Sequence, residues 1–367
     1  MTEGALAGFT VAVTAERRRS EMAALLERRG ARVVSAPAIT IIPLIDDEAL
    51  HAATSACIGL EPHLVVATTG FGFRGWLEAA EGWGLADALR TVLSGARIVA
   101  RGPKPCGAIR AAGLTEVWAA KTESSEEVLQ RLLDEGVAGL RIVVQEHGEP
   151  QTAFVNALRS AGAAVVEVPV YRWAMPPDTA PVKRLIDQVA AGQIDAVTFT
   201  SAPAVKAFLA LAEEKAADIA TPFRNGTTLA ACVGPVTAAP LAERDIPLVM
   251  PERYRLGALI KTVTDELPRR ATRLRVAGSV LEVRGHAVLI DDVLHGLAPA
   301  AMAILASLAK RPGAVVSKEQ LAATLPRGND GHAVDVAVAR LRAALGSGRH
   351  IETVIKRGYR LRVDEAA

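Results

Sequence analysis

The sequence repeats itself, and no other feature limits the fold as strongly. Phe9 to Leu44 reads as a short β-branched run, an amphipathic stretch, a Gly30-Ala31 step, a second valine-rich run and an extended stretch with proline. Leu140 to Asp178 has the same parts in the same order around Gly162-Ala163. His63 to Leu77 matches Asp195 to Leu209, each an apolar run ending in Thr or Ser before a helical pattern. Ala96 to Leu114 matches Thr228 to Ile246, where the apolar run enters Gly-Pro and then a helical pattern. Glu123 to Gly136 matches Arg253 to Leu267. The offset is about 131 residues each time. Short apolar runs alternating with helices predict parallel strands with right-handed crossovers, and two copies predict two α/β lobes.

Open parallel sheets bind ligands beyond the carboxyl ends of their strands, where the Thr/Ser and Gly-Pro turns fall. Taken singly, such a turn reads most simply as an ordinary helix start, since Ser and Thr are good N-caps and proline suits the first turn. Four of them, repeated, point to a site.

The 367 residues are enough for two or three domains, and half are hydrophobic. No apolar run approaches the roughly 18 residues of a membrane span. Met1 to Val13 lacks the marks of a signal peptide. Cys57, Cys106 and Cys232 are odd in number, widely spaced and without a CxxC, which argues against a disulfide framework or zinc site. The seven histidines show no metal-ligand spacing. A cytoplasmic protein with no metal and no membrane partner is expected. The net charge of +2 conceals an asymmetry: residues 269–367 hold 16 Lys+Arg and 9 Asp+Glu, a balance of +7, and residues 1–268 balance at −5. A basic module on an acidic body suits a polyanion partner, although charge alone fits a merely soluble basic domain as well.

The repeated part resembles uroporphyrinogen-III synthase over residues of about 5–268. The most specific pieces are Val168-Pro-Val-Tyr171-Arg172, Phe199-Thr200-Ser201-Ala-Pro-Ala-Val205 and Val233-Gly234-Pro235-Val236-Thr237-Ala238. The resemblance implies two lobes joined by extended connectors, here 37–44 and 168–175. One lobe is then discontinuous, from 1–36 and 176–268, and the other spans 45–167. That family cyclises a linear tetrapyrrole and inverts its last ring, with loss of water and no cofactor. A polycarboxylate substrate calls for cleft Arg, Lys, hydroxyl and backbone N–H groups. The resemblance makes Tyr171 the candidate general acid, since a phenol ordinarily keeps its proton at neutral pH. It makes Thr68, Thr69, Gly102, Lys104, Thr200, Ser201, Gly234 and Thr237 the candidate binding residues in the inter-lobe cleft. The plainer reading of Tyr171 is a hinge residue that packs its ring. Three segments depart from the family pattern. Gly102-Pro103-Lys104-Pro105-Cys106 has proline in place of a hydroxyl. Gln145-Glu146-His147-Gly148 stands where relatives have Arg-Gly, so a basic group is lost there. Ala67-Thr68-Thr69-Gly70 replaces a Ser-Pro-Asn type of strand end.

Residues 269–272 read as a linker. Beyond them, Leu274 to Asp291 alternates with period two, as in a small antiparallel sheet. Pro299 opens a helix that Pro312-Gly313 stops. Ser317-Lys-Glu-Gln320 is a capping box for a second helix. In a third, from about Gly331 to Leu345, Val334, Val338, Leu341 and Leu345 form one buried stripe and His332, Ala339, Arg340 and Ala343 turn outward. Two strand-like runs about Lys356-Arg357-Gly358 close the chain. This order resembles the winged-helix output domain of OmpR/PhoB-type response regulators over nearly all of 273–363, within a C-terminal domain of 273–367. A helix of this size fits the major groove of double-stranded DNA. The candidate contacts are His332, Asp335, Arg340, Arg342, Lys356, Arg357, Tyr359 and Arg360. Ala337, Ala339, Ala343 and Ala344 stand where relatives often carry polar residues, which implies sparse base readout.

No acidic pair follows the first strand, so a phosphorelay receiver is not expected. The expected protein is a DNA-binding regulator whose body senses a small ligand such as a tetrapyrrole or contacts a partner; winged helices often read paired half-sites, which a homodimer on DNA would supply. The alternatives are a working synthase that also binds DNA and a synthase with an assembly tail.

Overall fold

The computed structural model describes residues 4–45, 47–325 and 331–364. The chain divides into two compact units, Thr40–Met175 and a second built from Met1–Ile39 with Pro176–Ala367. No helix among the described residues is long and apolar enough to cross a membrane.

In the unit Thr40–Met175 five parallel strands run in the order Glu116–Ala119, Arg97–Ala100, Leu64–Ala67, Arg141–Gln145, Ala164–Val168. Alternate residues of a strand point to opposite faces. Val65 and Ala67 therefore join the core around Trp76 and Phe73, and Leu64 and Val66 join the core around Phe154 and Leu158. Burial on both faces explains why these strands are continuous apolar runs. The connector 168–175 and residues 40–44 of the other connector belong here. They pair as the antiparallel strands Thr40–Pro43 and Tyr171–Ala174, with Pro43 opposite Tyr171.

The other unit holds a second parallel sheet, ordered Leu248–Val249, Leu229–Cys232, Ala196–Phe199, Thr10–Val13, Arg32–Ser35. Its central strands come from parts of the chain some 185 residues apart, and the Thr10 N–H donates to Asp195 Oδ2 at 2.7 Å where the two begin. The winged helix follows, with a four-stranded antiparallel sheet (Thr272–Val276, Ser279–Val283, Ala287–Ile290, Val293–Gly296), helices Pro299–Ala309, Lys318–Ala322 and Gly331–Ala344, and the hairpin Ile351–Val354 with Gly358–Leu361. The Ser317 capping box forms in full. Ala337 joins Val334, Val338 and Leu341 on the buried stripe of the last helix. Residues 269–272 are not slack. The helix Leu256–Arg270 runs through Pro268, and a strand starts at Thr272, leaving Ala271 alone between them.

Candidate functional site

On the Thr40–Met175 unit, Thr68 and Thr69 follow the strand Leu64–Ala67. Thr69 caps the helix Gly70–Gly82, accepting from the Gly72 N–H at 3.2 Å. Thr68 is buried, and its hydroxyl donates to the Gln145 carbonyl at 2.7 Å. The Gln145 side-chain amide, itself buried, donates at 3.2 Å to both hydroxyls and at 2.7 Å to the Glu146 carbonyl. Both hydroxyls thus take part in hydrogen bonds within the lobe. Gly102 sits in extended backbone before the helix Pro103–Ala111, and a Cβ there would press on the Glu123 side chain at 2.9 Å. Lys104 is exposed on the first turn of that helix.

Arg101, one residue earlier, was not singled out by the sequence. Its Nη1 donates to His147 Nε2 at 3.1 Å. That bond leaves the imidazole proton on Nδ1, which is buried without a partner among the described residues, as is Trp173 Nε1. Burial, with Arg101 nearby, holds the His147 pKa down at about 3, so the ring is neutral. Burial also lowers the Arg101 pKa, against the opposing influence of Tyr171, Glu123 and Glu126. Gly148, at φ 90, lies against the rings of Tyr171 and Trp173, and a Cβ there would come within 2.9 Å of the first and 3.2 Å of the second. Tyr171 packs edge-on to Phe71 at 5.4 Å. One side of this lobe thus gathers a guanidinium, two unpartnered N–H donors and the connector tyrosine. The positive charge that is missing at 147 stands at 101.

The matching turns of the other lobe are less committed. Thr200 and Ser201 follow the strand Ala196–Phe199, and Ser201 does not cap the helix Ala202–Glu214. Gly234 repeats the extended backbone of Gly102 ahead of the helix Pro235–Ala242, with the Tyr254 ring 3.0 Å from where a Cβ would be. Thr237 is buried in that helix. Helix N-termini of this kind present free backbone N–H groups to anions.

The eight candidate DNA contacts separate into two sets. His332, Arg340, Lys356 and Arg357 are exposed. The other four are tied within the domain. Arg342 donates to the Ile351 carbonyl at 2.8 Å and to Thr353 Oγ1 at 2.9 Å, with its guanidinium 5.8 Å from the Tyr359 ring centre. Asp335 pairs with Lys318 at 2.8 Å and accepts from the Tyr359 hydroxyl at 2.6 Å. Burial and Asp335 push the Tyr359 phenol up to about 12. Arg360 pairs with Glu352 at 2.8 Å. Ile355, 82% exposed, sits beside Lys356 at the tip of the hairpin.

Residues 20–261 match the family Uroporphyrinogen-III synthase HemD, and residues 295–361 match Transcriptional regulatory protein, C terminal. A Bacillus subtilis protein named uncharacterized protein YjjA is 28% identical over 268 residues, covering 70% of this chain and 94% of its own length. A putative uroporphyrinogen-III synthase from Methanothermobacter thermautotrophicus is 29% identical over 137 residues, which is 37% of this chain and 53% of that protein. The crystal structure of a mutant uroporphyrinogen III synthase from the extremely thermophilic bacterium Thermus thermophilus matches with a TM-score of 0.59 at 26% identity, over 71% of this chain and 99% of that one.

Proposed function

We propose the function from one premise: this chain belongs to the uroporphyrinogen-III synthase HemD family, and it carries in addition a winged-helix domain of the OmpR/PhoB type. It is a transcription regulator whose synthase-like body serves as the input domain. The observation that carries this reading is the fusion itself, which puts a ligand-binding fold where response regulators have a receiver.

The body takes a small molecule bearing carboxylates, such as a tetrapyrrole. Arg101 and Lys104 supply positive charge on one lobe. Thr200, Ser201 and Thr237, with the backbone N–H groups after Gly234, supply neutral donors on the other. The ligand shifts the DNA-competent population only as far as its affinities for the two states differ. In the winged helix, Arg340 and His332 read the major groove of double-stranded DNA, while Lys356 and Arg357 hold phosphate and fix the register. Two copies reading paired half-sites fit this domain type.

A second reading, a working synthase that also binds DNA, is favoured by the connector Tyr171 beside Arg101. A synthase assay separates the two. Purified protein is given fresh hydroxymethylbilane, and the III isomer is resolved from the spontaneous I isomer. III isomer that disappears in Tyr171→Phe makes the protein an enzyme with a regulatory tail. I isomer alone, from protein shown to be folded, leaves the body as a sensor. For the DNA face, Arg340→Ala abolishes sequence-specific retention of operator DNA in a gel-shift assay, and unchanged affinity removes the assignment.

A further inference from the structure

We propose that the winged helix is keyed by the turn Arg284–His286 into the amino end of the sheet that holds Thr10–Val13 and Ala196–Phe199, so that the DNA-reading helix moves with that lobe as one body. The turn joins the strands Ser279–Val283 and Ala287–Ile290. Arg284 is buried, and its Nη1 donates to the Ala7 carbonyl at 2.6 Å. Its Nε donates to Glu282 at 2.7 Å, and the other Glu282 oxygen pairs with Arg273 at 2.7 Å. The guanidinium lies 5.1 Å from the Phe9 ring centre. The His286 N–H donates to the Gly8 carbonyl at 2.9 Å, and its Nδ1 is 3.4 Å from Thr10 Oγ1. Gly285 rests on the Asp195 carboxylate so closely that a Cβ there would overlap Asp195 Oδ2. Gly8, at φ +88, packs against the same turn, with Ala287 and Arg284 side chains 3.1 and 3.2 Å from where a Cβ would be.

Two features make this a joint rather than a tether. The covalent link is Ala271 alone, between the helix Leu256–Arg270 and the strand beginning at Thr272. The Arg284 guanidinium is buried at the contact, held from its own side by Glu282 and bonded across the joint to the Ala7 carbonyl. The joint sits at Thr10 and Asp195, where the central strands begin, whereas Thr200 and Ser201 follow the far end of the strand Ala196–Phe199. Four residues of strand, about 13 Å, separate the two ends. On the regulatory reading above, from which this inference takes its purpose, ligand at one end of that strand and the winged helix at the other are coupled through a single rigid element.

The test measures the distance between spin labels at Lys206→Cys and Lys310→Cys in the full chain by pulsed electron resonance, the native cysteines being buried. We expect one narrow distance. A broad distribution in the otherwise unchanged protein overturns the proposal. Gly285→Ala should broaden it, because the added methyl meets Asp195. Gly285→Ala with Asp195→Ala should narrow it again, since the atoms in conflict are gone. A folded Gly285→Ala as narrow as the parent removes the turn from the joint. If that variant does not fold, Arg284→Ala gives the same readings. The experiment needs neither DNA nor ligand. A narrow distance in a protein that fails to bind DNA would therefore fault the regulatory reading and leave the joint standing.

Discussion

The two lobes are copies of one plan that differ at both ends of their sheets. At the carboxyl ends, Arg101 and Lys104 of one lobe correspond to Val233 and Val236 of the other, and Gly102 faces Glu123 where Gly234 faces Tyr254. Thr69 caps its helix and Ser201 does not. At the amino ends, His63 accepts from the Arg141 N–H at 3.0 Å, and Asp195 accepts from the Thr10 N–H at 2.7 Å. The structural role is the same, but His63 is exposed, while Asp195 lies under the winged-helix turn. The repeat preserves sheet and turns, because those depend on apolar periodicity and on Gly and Pro. The chemistry at each end follows from single residues that the repeat leaves free to change.

That contrast can be broken in four ways. Trp76→Ala empties a fully buried site in the lobe with the charged turns and removes the indole bond to Thr54 Oγ1 at 2.9 Å. A loss of about 3–5 kcal/mol is expected. Calorimetry should show Thr40–Met175 melting first, with a separate later transition for the rest. One shared transition would mean that the lobes are not independent. Arg101→Ala should weaken binding of uroporphyrin, used as a polycarboxylate probe, about ten- to a hundredfold, which corresponds to one charge-assisted contact. Calorimetric titration of Val233→Ala should show little change, and equal losses would erase the asymmetry of charge.

The third contrast is smaller. Thr69→Ala should cost about 1 kcal/mol of stability through its lost cap and leave probe affinity alone. Ser201→Ala should do the reverse, lowering affinity severalfold with the melting temperature unchanged. The same behaviour in both variants would show that neither hydroxyl is specialised. The smallest effect concerns pH. Burial pushes the Asp195 carboxyl up to about 7, against the Thr10 N–H, which lowers it. A raised carboxyl pKa contributes stability below its ordinary value near 3.8 and loses it as pH climbs through 7. His286 works in the opposite sense, since burial and Arg32 hold its pKa below 6.5. Asp195→Asn isolates the carboxyl, and its melting temperature should fall less than the parent's between pH 4 and 8. Parallel curves would count against a titrating Asp195.

Much of the architecture is legible in the residues. Two α/β lobes, two extended connectors, the Ser317 capping box and the buried stripe of Val334, Val338 and Leu341 all follow from local periodicity and turn chemistry, which act over a few residues. The state of each polar group does not follow from them. Thr68 and Thr69 read as ligand hydroxyls, and only the fold adds that Gln145, some 77 residues on, bonds to both. Arg342 reads as a DNA contact, and only the fold adds that the strand after it accepts hydrogen bonds from its guanidinium. Arg101 escapes notice because its neighbour His147 is 46 residues away. Residues 269–272 read as a linker, and the contacts that stiffen this junction reach from Arg284 back to Ala7, 277 residues earlier. Pattern along the chain settles where helices and strands form, because their hydrogen bonds and faces are set by near neighbours. Whether a hydroxyl or a guanidinium is free to act depends on what folding brings opposite it.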